Sequence, residues 1–375
     1  MKKIVVFILL VITIVLFVAC SSMTTNTFNS FDYFSTVITL NTYTNKDVNV
    51  TDAWQEMRLS LGIMEDKLSV YVDDSDISNF NGVSEGATIE ISKITYDVLT
   101  IAKEAYEKTN GLYNPAMYLL SDLWGFTDRF TKSSYTPQKP YDRQNPREEL
   151  PDNKYIDGFL TLIDYSKVEL SNVEDKFYVT KPSDYIEIDG FKYTMQLDLG
   201  GIVKGYAAAI LKKTANSFNI EYGYVTLGSS SLALFERNEK GQKWDLKLKD
   251  PLNSDSYYLQ TEQSSIYVST SGNYEQYYEI DGKRYCHIIN PTTGRPIDNS
   301  NLSATIITNV GNDDIKASSL IDAYSTALMV MNIDSAKQFI QENDFKAYVA
   351  LKDSDKYKVY TNDDSAKILA NYERI

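Results

Sequence analysis

The chain has 375 residues, 43% hydrophobic and 13% aromatic, with charge spread along its length, which suffices for an ordinary core in one large or two average domains. Its formal net charge of −14 and the lack of any Lys/Arg cluster exclude nucleic acid as a partner, since phosphate backbones are held by basic stripes. An acidic protein that takes up a phosphate-bearing ligand needs local help from backbone N–H groups, a lysine or a divalent cation.

At the N-terminus, Lys2 and Lys3 precede an apolar run from Ile4 to Val18 broken only by Thr13, then Ala19, Cys20 and a polar stretch. That order describes an export signal. Phe17-Val18-Ala19-Cys20 resembles a bacterial lipoprotein signal, although Phe17 stands where Leu is usual. The expectation is a signal peptide over 1–19, lipid on Cys20, a tether over 20–30, and a body held at the cell membrane on its extracytoplasmic face. A plain transmembrane anchor is the alternative, because about 17 apolar residues can just span a bilayer. Loss of the two lysines would take the net charge to −16. With Cys20 lipidated, Cys286 has no disulfide partner and reads as a small buried hydrophobe.

Phe31 to Tyr43, β-branched and aromatic, predicts a first strand. Trp54, Met57, Leu61, Met64 and Leu68 recur at helical spacing and predict a helix over 53–68. A second helix is expected from the cap Ser92 to the stop signal Gly111. From Thr127 to Gly158, four prolines among charges and tyrosines predict a surface insertion. Beyond it come a helix entered through glycines over 200–218 and a strand-like run over 222–235. Strands with a turn at Asp281-Gly282 follow over 264–289, then helices over 318–331 and 335–345 and a closing hairpin through Tyr348 and Tyr357. Helices and strands mix without strict alternation, which favours a single compact α+β domain over 31–375.

Three constellations carry chemistry. The only histidine, His287, ends an apolar strand and runs into the Asn290-Pro291 turn. A lone histidine is ordinarily a surface or satisfied core residue; if a group titrating near neutrality is needed, no other imidazole is available. In Asp198-Leu199-Gly200-Gly201-Ile202-Val203-Lys204, an acid ends a strand, glycines turn, and a helix starts with a lysine in its first turn. A helix N-terminus offers unpaired N–H groups to an anion, and Lys204 adds a point charge. A strand-to-helix turn with glycines for close packing accounts equally well for that spacing. Asp322 and Thr326 lie four apart on one face of a largely apolar helix, a pair suited to a hard cation such as Mg²⁺. Capping by Asp322 and back-bonding by Thr326 is the competing account.

These blocks, together with Leu68-Ser69-Val70-Tyr71, Gly111-Leu112-Tyr113-Asn114-Pro115, Leu123-Trp124-Gly125-Phe126 and Ser269 to Tyr274, resemble the FAD:protein FMN transferases, once described as thiamine-biosynthesis lipoproteins. The resemblance runs from about Phe31 to Met331. It implies a compact α+β fold with a flavin cleft, and Mg²⁺-dependent transfer of FMN from FAD onto a threonine of an exported flavoprotein, releasing AMP. It also implies that Asp322, Thr326 and a backbone carbonyl near Gly201 bind the metal. Phe34, Tyr71, Leu112, Tyr113, Asn114, Asp198, Lys204 and Ile297 would contact FAD, and His287 and Asp322 would serve the reaction. Asn290 and Asn114 stand where the family often has Asp, Phe34 where it often has Met, Ala209 where Asp is frequent, and Ser229-Ser230 in a stretch usually richer in glycine. An FAD pyrophosphatase and a non-catalytic flavin-binding lipoprotein are the alternative readings of the same residues.

Overall fold

The computed structural model describes residues 23–45, 47–127, 150–309, 311, 313–369 and 371–375. The predicted signal, Cys20 and residues 128–149 of the predicted insertion lie outside them.

The framework is a nine-stranded sheet whose strands lie side by side in chain order. They are β1 (Thr24–Ser30), β2 (Ile38–Thr44), β3 (Gly223–Leu227), β4 (Ser231–Leu234), β5 (Ile266–Gly272), β6 (Asn301–Asn309), β7 (Lys346–Asp353), β8 (Lys356–Thr361) and β9 (Tyr372–Arg374). All neighbours are antiparallel except β8 and β9. Four helices matter for the site: α1 (Val50–Leu68), α2 (Lys93–Lys108), α3 (Val203–Ser217) and α4 (Asp314–Val330). They cover one face, where Ile38, Leu40, Val225, Ala233 and Ile306 meet the buried stripe Trp54, Met57, Leu61 and Met64 of α1 and the apolar faces of α3 and α4. The opposite face carries a smaller core, in which Leu234, Ile266, Val268 and Tyr348 pack on a three-stranded sheet of Trp244–Asp250, Asn253–Gln263 and Lys367–Ile368. This mixed architecture agrees with the expected α+β class.

Local signals hold where their chemistry is local. Ser92 caps α2 by accepting the Thr95 N–H, and Gly111 follows in the left-handed region at φ +78°. Asp281 and Gly282, at φ +51° and +76°, form the hairpin turn between Tyr277–Ile280 and Lys283–Cys286.

Three expectations need correction. The predicted tether is in part a strand, because Thr24–Ser30 pairs along its whole length with β2. The predicted strand from Phe31 begins only at Ile38. Phe34 and Ser35, at φ +54° and +48°, close a turn through the Thr36 N–H on the Tyr33 carbonyl and break extension. The end of the predicted insertion is a packed helix over Asn153–Leu160, burying Tyr155, Ile156 and Phe159.

Helices α3 and α4 cross at Gly205. A Cβ there would lie 2.3 Å from the Ser318 carbonyl oxygen and 2.8 Å from Asp322 Cβ. The Ser318 hydroxyl also donates to the Gly205 carbonyl at 2.7 Å. Gly205→Ala is therefore expected to destabilise the fold by about 1–3 kcal/mol through overpacking. An unchanged thermal melting temperature would show that the crossing tolerates a methyl group.

Candidate active site

A cleft of about 510 Å³ opens where the N-terminus of α3, the middle of α4, the β3–β4 turn and the end of β5 converge. Phe34, Tyr71, Leu112, Tyr113, Asn114, Asp198, Gly201, Lys204, His287, Asp322 and Thr326 all line it, so residues far apart in sequence share one surface. Ile297 does not. It is buried behind the wall, its N–H donating to the Ile288 carbonyl at 2.9 Å.

Asp322 is only 4% exposed. Its Oδ2 accepts the Gly205 N–H at 2.9 Å, and its Oδ1 accepts the Ser269 hydroxyl at 2.7 Å and the Ser231 hydroxyl at 3.3 Å. A buried carboxylate needs such partners. They hold it in one orientation without supplying a counter-charge. Thr326, one turn on, shares a hydrogen bond with the Ser271 hydroxyl at 3.2 Å. Because the Gly205 N–H goes to Asp322, the Gly201 carbonyl lies outside the helical ladder. A Cβ at Gly201 would lie 3.8 Å from Thr326 Oγ1, so that backbone and the hydroxyl are neighbours. Carboxylate, hydroxyl and carbonyl oxygens are the donor set of a hard divalent cation. Among the described residues no cluster of three or more His, Cys, Asp or Glu could hold a metal, so softer, nitrogen- and sulfur-seeking ions have no such cluster there.

At the same helix start, Asp198 Oδ1 accepts the Gly200 N–H at 2.8 Å and Lys204 Nζ donates to the Gly200 carbonyl at 2.9 Å. Burial raises the Asp198 pKa above the usual carboxylate value, against the opposing pull of the Gly200 N–H and the Lys204 charge. Glycines at 200 and 201 leave the backbone open to close approach of a ligand at the start of α3.

The His287 ring is fixed by the Gln276 carbonyl, which lies 3.0 Å from the His287 backbone N and 3.3 Å from Nδ1. A carbonyl only accepts, so Nδ1 carries the proton and Nε2 presents a lone pair. Burial lowers the His287 pKa from its ordinary value. The Gln276 carbonyl and the Glu275 charge oppose that shift, and the Lys204 charge adds to it. The imidazole is thus held neutral, as a proton acceptor must be.

Two departures from the family pattern resolve into local structure. Asn290 bonds its own turn, its Oδ1 accepting the Thr292 N–H at 2.8 Å, and does not serve His287. Asn114 donates to the Ile163 carbonyl at 2.8 Å while accepting the Ala116 N–H at 2.9 Å. An ionised Asp could not make the first of those bonds. Sequence reasoning missed the hydroxyls of Ser231 and Ser269 on Asp322. The two-residue alternation of Ser269 and Ser271 along β5 was the available signal, since it puts both on the face toward α4.

Similar proteins are found in both sequence and structure. A FAD:protein FMN transferase of Escherichia coli K12 is 26% identical over 82% of this chain and 78% of its own length. One of Vibrio cholerae is 29% identical over 80% of this chain and 79% of its own. The solved flavin transferase ApbE from Vibrio cholerae superposes with a TM-score of 0.72 at 24% identity, covering 90% of this chain and 97% of that one, and so shares the fold. The family model described as the ApbE family spans residues 34–349, from the turn at Phe34 through every cleft residue to Val349 in β7, and this chain belongs to that family.

Proposed function

We propose that this protein transfers the FMN half of FAD onto a threonine hydroxyl of an exported flavoprotein, releasing AMP. What supports the reading is the meeting of an oxygen-donor trio, an anion-binding helix start and a neutral histidine in one cleft of a chain of this family. Gly200, Gly201 and Lys204 would hold the pyrophosphate against the α3 N-terminus. The threonine oxygen forms a bond to the FMN phosphorus, the bond from that phosphorus to the AMP oxygen breaks, and His287 Nε2 takes the threonine proton. A Mg²⁺ ion held by Asp322, Thr326 and the Gly201 carbonyl would screen the phosphate charges and act as Lewis acid and template. The chain's own contribution is positioning, which dominates phosphoryl transfer. Lipid on Cys20 would keep the cleft at the extracytoplasmic face of the membrane, where such acceptors reside.

The test mixes purified protein, FAD, Mg²⁺ and a threonine-bearing flavoprotein fragment and reads the fragment's mass. A gain of one FMN is expected. Free FMN and AMP without labelling would make the protein a hydrolase, and intact FAD would make it a binder.

A further inference from the structure

We infer that Glu65 is a positioning residue for the dinucleotide: its carboxylate ties the turn at 34–36 to the segment at 69–71 and so fixes the two stretches of cleft wall that they form. The inference rests on the FAD reading above. Phe34, Ser35, Thr36, Glu65, Ser69 and Tyr71 all line the cleft.

The turn between β1 and β2 needs support from outside. Phe34 and Ser35 sit one after the other in the left-handed region, at φ +54° and +48°. Side chains disfavour that conformation, and it persists only where the surroundings impose it. On one side, Glu65 in the last turn of α1 accepts the Phe34 N–H on Oε2 at 2.5 Å. On the other, the Gly228 N–H donates to the Val37 carbonyl at 2.8 Å, and Thr36 seats on Gly228, where a Cβ would lie 2.5 Å from its Oγ1.

The same carboxylate holds the second stretch. The Ser69 hydroxyl donates to Glu65, and Ser69 Oγ accepts the Tyr71 N–H at 3.2 Å. Glu65 thus reaches the backbone of Phe34 directly and that of Tyr71 through one hydroxyl. Burial raises its pKa above the usual carboxylate value, while the Phe34 N–H and the Ser69 hydroxyl oppose the shift. Both partners donate, so only a side chain with an acceptor oxygen can keep them. Glu65 takes no part in the Asp322, Thr326 and Gly201 donor trio, so its loss should act on FAD and leave the metal alone.

Glu65→Ala removes the acceptor, and Glu65→Gln keeps one oxygen at the same reach. Full-length wild type and variants are titrated calorimetrically with Mg²⁺ alone and with FAD in its presence. They are also assayed for labelling of the threonine-bearing fragment across FAD concentrations. For Glu65→Ala, the Kd and KM for FAD should both rise about tenfold, with kcat and Mg²⁺ uptake as in the wild type. Glu65→Gln should restore most of that loss. Ser69→Ala, which cuts only the arm to Tyr71, should weaken FAD by a smaller factor, about threefold. Unchanged FAD affinity in Glu65→Ala would overturn the inference, as would an equal loss in Glu65→Gln or a fall in kcat at unchanged KM. Should Glu65→Ala not fold, full FAD affinity in Ser69→Ala would overturn it. Wild type that takes up no FAD would overturn the functional reading and this inference together.

Discussion

Asp322→Ala is expected to lower threonine labelling by on the order of a thousandfold, the scale of several kcal/mol of charge stabilisation supplied by a divalent ion. The carboxylate is the only charged group of the proposed donor trio, so its loss leaves a hydroxyl and a carbonyl to hold a dication. The variant has a second effect that must be separated. Gly205 N–H and the Ser231 and Ser269 hydroxyls all donate to Asp322, and alanine strands them in a buried position. Each stranded donor costs about 1–3 kcal/mol, so the melting temperature should fall as well. Two measurements isolate the metal role. Wild-type labelling should stop on addition of a chelator and return with Mg²⁺. Calorimetry should find Mg²⁺ uptake in the wild type and none in the variant at a temperature where both are folded. Labelling by wild type that ignores the chelator would end the metal account.

The helical pair at 322 and 326 was legible because a spacing of four fixes a shared face whatever the tertiary context. The Gly200-Gly201 turn, the Ser92 cap and the Asp281-Gly282 hairpin were legible for the same reason, since each depends on its immediate neighbours. Other features were hidden because their determinants are distant. β1 reads Thr-Thr-Asn-Thr-Phe-Asn-Ser and sits at the sheet edge with most side chains exposed, so it lacks the apolar alternation that marks a half-buried strand. Trp244–Asp250 differs, since Trp244, Leu246 and Leu248 alternate with Asp245, Lys247 and Lys249, so this strand is legible in the sequence although it stands outside the elements expected above. At the site, Ser231 and Ser269 reach Asp322 from 91 and 53 residues away, and a lone serine in a strand says nothing of which carboxylate it will meet. Ile297 shows the converse limit. Its place after a turn is family-like, but it is buried, its N–H is on the Ile288 carbonyl, and it is not among the residues that line the cleft.

His287→Ala is expected to reduce labelling by about 10²–10⁴-fold, the usual worth of a positioned general base, with FAD affinity little changed because the imidazole acts on the incoming hydroxyl. The pH dependence follows from the same geometry. A base must be unprotonated to accept, so the rate falls as pH drops through the folded-state pKa of His287. Burial places that value below the ordinary 6.5, and labelling should therefore persist as pH passes downward through 6.5 and fade only at lower pH. Asp198 moves the opposite way. Its raised pKa brings carboxyl protonation toward the same acid region, so the wild-type limb alone does not identify the base. The single histidine removes the ambiguity. With ¹⁵N-labelled histidine, one imidazole reports in the spectrum, and its ring nitrogens should show Nδ1 protonated and Nε2 bare at neutral pH, as the Gln276 carbonyl requires. The midpoint of that titration should coincide with the acid limb of kcat/KM and lie below 6.5. An acid limb that does not follow the His287 titration, or the opposite tautomer, would remove His287 from the role of proton acceptor and leave Asp198 as the residue to test next.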